Sequence, residues 1–474
     1  MAMIESSADH EQTESPRPRR APGPRGVPLF GNTLGAWKDV LKLMFQSWQA
    51  HGDIVRFKFG PYDYLFINDP DAIRHVLVDN NKNYTKSRNY HGLKLVLGEG
   101  LVTSEGDHWR RQRKLAQPAF HRDRLASFAQ TMVADTSALL DRWAAKDGEV
   151  MDVHAEMMRL TFRIVGRTLF STDVEGESER IGPAITVAMH HANDYAESLV
   201  RIPPWVPTPG NFRFKRAMRD LDELVLRIIG ERRAAKGAGD ASPSLAAGPH
   251  DLLSMLMDAR DEETRAQMTD RQLRDEVLTL VLAGHETTAN LLTWTWYLLS
   301  KHPDAARRVY AEVRAVLGER KPALEDLPKL TYTTMVINES MRLLPPVWAF
   351  ERQAIAADTL GGFDVPAGAI VGIAPYCLHR HPRYWENPEG FDPERFAQGR
   401  GEGRPRYAYL PFGGGPRQCI GNGFAMMEAQ IILAMIAQRH RLELVAGHPV
   451  ELEPTVTLRP KHGMRMTLRA QTQT

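Results

Sequence analysis

The sequence predicts a mainly α protein with small β-sheets, an α+β chain organised around one long central helix. Three observations carry that prediction. Helical patterns, with apolar residues three or four apart, dominate the chain after two early strands. Strand-like pieces are short and return only late. No strand–helix–strand alternation is visible, which argues against a doubly wound sheet.

Residues 1–25 are polar and combine Pro16, Pro18, Pro22 and Pro24 with Arg17, Arg19 and Arg20. Such a segment cannot bury enough surface to offset its ordering entropy. A disordered tail is expected there, with 26–470 as a single domain. Residues 53–59 (DIVRFKF) and 64–68 (YLFIN) read as two strands joined through Gly60 and Pro61. Residues 202–211 (IPPWVPTPGN) read as an irregular connection, and 236–251 (KGAGDASPSLAAGPHD) as a flexible surface loop. The longest apolar stretch, 277–299, has the length of a membrane span, but His285 and Glu286 near its middle favour a buried helix. That helix, 275–300, would be roughly 39 Å long at about 1.5 Å per residue. In 301–318, Pro303 suits a first turn, Val309, Val313, Val316 and Leu317 form a stripe, and Gly318 can end the helix. Further helices are expected at 330–344 and 424–437, with strand-like pieces at 353–356, 369–373 and 456–458. No internal repeat is visible.

Apolar residues make up 43% of the 474 positions and charged residues 25%, which excludes disorder as the dominant state. Lys and Arg number 60 against 58 Asp and Glu, a balance that argues against nucleic acid as the partner. Two cysteines, Cys377 and Cys419, exclude a disulfide scaffold and suggest a reducing compartment. The tail lacks the apolar core of a secretory signal. A cytoplasmic protein with no membrane anchor is expected.

The segment 412–421 (FGGGPRQCIG) is the most informative. Its four glycines would let the backbone approach something flat and bulky. Cys419 stands just before a helix N-terminus with Arg417 two residues away, and both features favour a thiolate, a strong soft ligand for iron. A buried free cysteine beside a glycine turn is the plainer reading. A dinucleotide loop lacks its third small residue, and a zinc site lacks a second cysteine at ligand spacing. The pattern F-x-x-G-x-R-x-C-x-G resembles the haem-binding loop of the cytochrome P-450 superfamily, the haem-thiolate monooxygenases. Cys377 (PYCLHRHP) has no such setting and reads as inert.

The resemblance extends over roughly 22–470. Glu339-x-x-Arg342 resembles the family's E-x-x-R motif, and Pro393-Glu394-Arg395-Phe396 its later P-x-R-F segment; it implies a buried charge network behind the haem loop that serves folding and haem retention. Trp109 and Arg113, four apart in DHWRRQRKL, resemble the W-x-x-x-R helix whose side chains hold a haem propionate, a role that suits an indole N–H and a guanidinium. Arg417 and Arg352 match other propionate-binding positions, and Phe412 and Ala283 positions against the haem. The implied cofactor is haem b with Cys419 as axial thiolate and iron ligand. Arg110, Arg111 and Lys114 would form a basic patch that docks an electron donor.

In the middle of the long helix stands Ala283-Gly284-His285-Glu286-Thr287-Thr288. Glycine and threonine are poor choices there, and threonine hydroxyls can bond back to carbonyls and open the helix. The block resembles the family's A-G-x-(D/E)-T-T oxygen-binding groove. By that resemblance Glu286 and Thr287 are catalytic and steer protons to dioxygen, Gly284 leaves a notch for it, and Ala283 faces substrate. The rival H-E-x-x-H zinc reading fails because position 289 is Ala.

No nicotinamide or flavin motif is apparent, so electrons are expected from a ferredoxin and its reductase, or from a flavodoxin-type donor. The substrate is expected to be a lipophilic small molecule, fatty acid first and terpenoid or steroid next, bound by 90–101, 188–199, 347–350 and 454–457. Two other classes stay open: a donor-independent haem-thiolate isomerase or dehydratase, and a non-catalytic haem-binding sensor.

Overall fold

The computed structural model describes residues 19–172, 175–198, 200–237, 251–260 and 267–471. Its largest sheet starts from the two early strands. β1 (Ile54–Phe59) and β2 (Tyr62–Ile67) form an antiparallel hairpin in the register Ile54↔Ile67 to Phe59↔Tyr62. Gly60 turns the chain with φ +56°, a conformation open to glycine at little cost. β2 pairs in parallel with β5 (Ile370–Ile373), β5 pairs antiparallel with β4 (Phe350–Ala354), and β4 with the short β3 (Tyr84–Thr85), giving the order β1-β2-β5-β4-β3. β5 is buried throughout, as a strand covered on both faces should be.

The expected piece 456–458 is displaced. β6 (Leu452–Pro454) pairs with β7 (Leu458–Pro460), which leaves Thr457 in the connecting loop. The sequence reading also missed β3 and a separate sheet of Val150–Asp152, Arg465–Ala470 and His440–Leu444. These strands are two to six residues long, and their partners lie far away along the chain.

Helices make the rest. Those that matter for the site are α1 (Thr33–His51), α2 (Tyr90–Leu97), α3 (Gly106–Ala116), α4 (Arg122–Trp143), α5 (Val153–Leu169), α6 (Ser178–Glu197), α7 (Pro209–Gly237), α8 (Asp270–Lys301), α9 (Pro303–Leu317), α10 (Thr331–Leu343) and α11 (Asn422–Arg439). α8 begins before the expected 275. Thr269 caps it, with its hydroxyl accepting from the Gln272 amide and Gln272 reaching back to the Thr269 amide. Such a box contributes about 1 kcal/mol, and the polar turn it opens carries no apolar stripe. The helix stops at Lys301 because Pro303 lacks an N–H and starts α9, and Gly318 at φ +56° ends α9 as expected. α7 starts at Pro209, inside the expected irregular segment, where proline suits a first turn.

The expected tail 1–25 lies largely outside the described residues. Its end is a correction: Arg19 bridges to Phe363, Ala21 is buried, and the Pro22 carbonyl accepts the Arg56 amide at 2.7 Å. Sheet edges offer unpaired donors and acceptors, and this polar segment satisfies them. Of the expected loop 236–251, residues 238–250 lie outside the described residues. Among the described residues no helix is long and apolar enough to cross a membrane.

The charge network on α10 is present. Arg342 Nε and Nη2 donate to the two oxygens of Glu339, each at 2.7 Å, and both side chains are fully buried. Arg395 Nε adds a bond to Glu339 at 3.3 Å, and the Asp392 amide one at 2.8 Å. The remaining Arg342 donors go to the carbonyls of His379, Pro388 and Gly390. A buried pair survives when its leftover donors are satisfied in this way.

Candidate active site

α8 is buried along most of its length, but Ala283 is exposed and Gly284 and Thr287 half-exposed in its middle. Ala283 and Thr287, with Glu286, line a cavity of about 420 Å³. Its other walls are mostly apolar and aromatic, including Tyr90, Leu97, Met189, Trp348, Phe350 and Val456. All four segments expected to set specificity, 90–101, 188–199, 347–350 and 454–457, supply lining residues.

The Thr287 hydroxyl donates to the Ala283 carbonyl at 2.7 Å, as the sequence suggests, but α8 continues as one α-helix without opening. Gly284 has a packing reason. A Cβ there would stand 3.1 Å from Val165 Cγ2 of α5, so the glycine lets the two helices approach. His285 is a core histidine: its carbonyl accepts the Thr161 hydroxyl at 3.0 Å, its ring meets Phe162 edge-on, and burial pushes it down to about 3, so it is neutral. Among the described residues no group of His, Cys, Asp and Glu could hold a metal ion on its own. Glu286 is buried and accepts the Thr457 hydroxyl at 2.5 Å.

The cysteine loop is closed by the Cys419 amide, which donates to the Phe412 carbonyl at 2.9 Å, and by the Gln418 amide to the Gly415 carbonyl at 3.1 Å. Two of its glycines answer to the backbone rather than to a flat ligand. Gly413 and Gly415 have φ +68° and +66°, and a Cβ on Gly415 would fall 2.0 Å from the Leu77 carbonyl oxygen. Cys419 as a residue keeps an open edge. Protein packed around its sulfur nevertheless pushes the thiol above its usual range, opposed by the Gly421 amide and the Arg113 charge. The cation beside the sulfur is thus Arg113 and not Arg417, which corrects the expectation. Cys377 is fully buried, its thiol pushed up to about 12 by burial, and is inert.

The structure ties Arg417 to α3. Its guanidinium lies 3.8 Å from the centroid of the Trp109 ring, donates to the Ser104 carbonyl at 2.9 Å and pairs with Glu105. Arg113 donates to the Gln418 carbonyl at 2.9 Å. Trp109 and Arg113 therefore meet the cysteine loop from one face of α3. Arg352 is buried and donates to the Glu351 carbonyl at 2.8 Å. Of the expected basic patch, Arg110 pairs with Asp107 at 2.5 Å, and Arg111 contacts His108.

One residue of this region was not legible in the sequence. Lys86 has its ammonium 4.4 Å from the Tyr90 ring centroid, and protein packing together with the charges of Arg352 and Arg417 pushes it well below its usual range. The Glu105 charge opposes that shift. A lone lysine in NYTKSRNY carries no signal. Three basic side chains, Lys86, Arg352 and Arg417, within reach of one another's charge suit a group that carries carboxylates at one edge. With the open edge of Cys419 and the exposed face of α8, the donor set fits a flat, anionic, iron-bearing cofactor.

The comparisons with known proteins agree. The family model described as Cytochrome P450 matches residues 21–466. Cyclooctatin synthase of Streptomyces melanosporofaciens is 38% identical over 441 residues, covering 93% of this chain and 94% of that protein. Cyclooctat-9-en-7-ol 5-monooxygenase of the same organism is 37% identical, covering 90% of each chain. Pentalenene oxygenase of Streptomyces avermitilis is 33% identical, covering 95% of this chain and 97% of that protein.

Proposed function

The chain belongs to the cytochrome P450 family, and on that premise we propose that it hydroxylates a terpenoid, with Cys419 as the residue whose thiolate would hold haem b and with Glu286 and Thr287 delivering protons. It is a monooxygenase that inserts one oxygen atom of O2 into a C–H bond of a lipophilic small molecule, drawing electrons from redox partners. Haem b, once bound through a cysteine thiolate, supplies the oxygen-activating chemistry.

The residues divide the remaining work. Cys419 presents the sulfur, and the loop closed by Phe412 fixes its position. Lys86, Arg352, Arg417, Arg113 and Trp109 are assigned to the propionate edge, where their charges and N–H groups find an anion. Ala283 leaves room on the substrate side of α8, and the apolar cavity excludes water and orients the substrate. Glu286 holds a proton at its carboxyl oxygen and Thr287 at its hydroxyl, both at the cavity wall.

The observation that supports the terpenoid is the set of end-to-end relatives named for cyclooctatin, cyclooctat-9-en-7-ol and pentalenene. It moves the terpenoid ahead of the fatty acid that the sequence places first. A ferredoxin with its reductase is the proposed donor, facing the α3 side where Arg110 and Lys114 are carried. Two free cysteines support a cytoplasmic location.

The test is a spectral titration of the ferric protein with cyclooctat-9-en-7-ol, pentalenene and palmitate, followed by product analysis with a ferredoxin and its reductase. The terpenoids are expected to shift the haem from low to high spin and to gain a hydroxyl. A shift and product from palmitate alone would overturn the substrate reading. Thr287→Ala is expected to keep electron consumption and lose product; full coupling would overturn the role of Thr287.

A further inference from the structure

Four side chains from three distant parts of the chain form one hydrogen-bonded line that ends on Glu286. Thr457, in the loop between β6 and β7, has its Oγ1 2.5 Å from Glu286 Oε1. Asn290, one turn beyond Glu286 on α8, has its Nδ2 3.2 Å from Thr457 Oγ1. The Oδ1 of Asn290 lies 3.1 Å from Nε2 of His154, in the first turn of α5. Glu286, Thr457 and Asn290 are all buried.

The Thr457 hydroxyl donates to the Glu286 carboxyl oxygen and uses a lone pair to accept the Asn290 amide. The amide oxygen then faces His154, which must carry its proton on Nε2. Burial, the largest influence on it, pushes His154 below its usual range.

The loop that carries Thr457 is itself fastened to α8 and to the segment beside it. Trp294 Nε1 donates to the Leu458 carbonyl at 2.9 Å, Trp348 Nε1 to the Thr455 carbonyl at 2.7 Å, and the Leu458 amide to the Pro346 carbonyl at 2.9 Å. Thr287 does not hold Glu286, because its hydroxyl is bonded to the Ala283 carbonyl.

We propose that Thr457, oriented by Asn290 and His154, is the positioning residue that fixes the rotamer from which Glu286 delivers protons. This rests on the reading of Glu286 given above. The line is not a proton wire, since an amide such as Asn290 does not readily pass a proton on; it sets direction. Thr457 also lines the substrate cavity, so the aim of Glu286 and the wall that a substrate touches share one side chain.

The test uses the holoprotein without substrate, reduced by a ferredoxin and its reductase in air. Two electrons and two protons convert O2 to hydrogen peroxide, and four of each convert it to two waters. Peroxide released per electron pair therefore reads how well protons arrive. Thr457→Val, which keeps the shape and removes the hydroxyl, is expected to raise that yield several-fold, and Thr457→Ser to restore it. His154→Leu should raise it and His154→Gln, which keeps an N–H donor, should not. Crystal structures supply the second readout: one Glu286 rotamer in the parent and Thr457→Ser, and a changed or divided one in Thr457→Val. An unchanged rotamer and peroxide yield in Thr457→Val would overturn the proposal. Glu286→Gln separates the two layers. If it leaves the peroxide yield unchanged, the proton role of Glu286 fails, while the rotamer of Thr457→Val still decides whether Thr457 positions it.

Discussion

Arg417 lies over the ring of Trp109, with its guanidinium carbon 3.8 Å from the ring centroid, although 308 positions separate the two in the chain. The stack fastens the cysteine loop to α3, and the Ser104 carbonyl and Glu105 each take one N–H donor of Arg417. Cation–π contacts of this kind contribute about 0.5–2 kcal/mol. Trp109→Ala is expected to weaken haem retention, measured as the rate of haem transfer to apomyoglobin, and Trp109→Phe to weaken it less because a ring face remains. Equal rates in all three proteins would count against the stack.

The Glu339 network predicts a large stability effect with little chemistry. Glu339→Gln keeps the side-chain shape but leaves Arg342 and Arg395 without their carboxylate in a site that water does not reach. Breaking a buried pair costs about 3–5 kcal/mol. Urea unfolding should show that loss. A variant as stable as the parent would mean that the backbone carbonyls alone satisfy the two arginines.

His379 predicts an acid sensitivity. Its Nε2 accepts the Leu410 amide at 2.8 Å, and burial, with the Arg342 and Arg380 charges, pushes it down to about 3. The unfolded chain binds a proton near pH 6.5, the folded chain only near 3, so below 6.5 the unfolded state is favoured. Stability from this group is complete above pH 6.5 and falls by roughly 1.4 kcal/mol per pH unit toward 3. His285, also at about 3, adds a second slope of the same sign. His379→Gln, which keeps an acceptor for Leu410, should flatten the pH dependence of the melting temperature. A slope unchanged by the substitution would assign the acid sensitivity elsewhere.

The cysteine loop contains its own control. Gly413 and Gly415 share a positive φ, but only at Gly415 would a Cβ collide with backbone, the Leu77 carbonyl oxygen at 2.0 Å; at Gly413 nothing lies within 4 Å. Gly413→Ala should therefore cost about 1–2 kcal/mol for the left-handed conformation alone. Gly415→Ala should cost more and displace the loop. Comparable unfolding curves for the two would refute the close approach.

What could be read beforehand follows the range of the interactions. The α8 block 283–288, the cysteine loop and the Glu339–Arg342 spacing are local patterns of a few residues, and the structure places Ala283, Glu286 and Thr287 on one cavity wall and buries the pair. Lys86 was missed, and Thr457 was read only as part of the substrate-binding segment 454–457 and not as a partner of Glu286, because each depends on partners more than 150 positions away: Arg352 and Arg417 for one, Glu286 and Asn290 for the other. The same holds for Val150–Asp152, a strand of three residues that pairs with Arg465–Ala470. Arg417 could be located but not its posture, since nothing in FGGGPRQCIG announces Glu105 or Trp109.

The attachment of Arg113 to the Gln418 carbonyl has one more implication. Together with the Arg417–Trp109 contact it stitches α3 to residues 417 and 418, immediately before the sulfur. The outer surface of α3 carries Arg110 and Lys114, so a protein settling there would tug on those stitches. The colour of the thiolate-bound pigment then becomes a gauge: docking on the outside should be visible as a small displacement of its absorption band before any electron has moved.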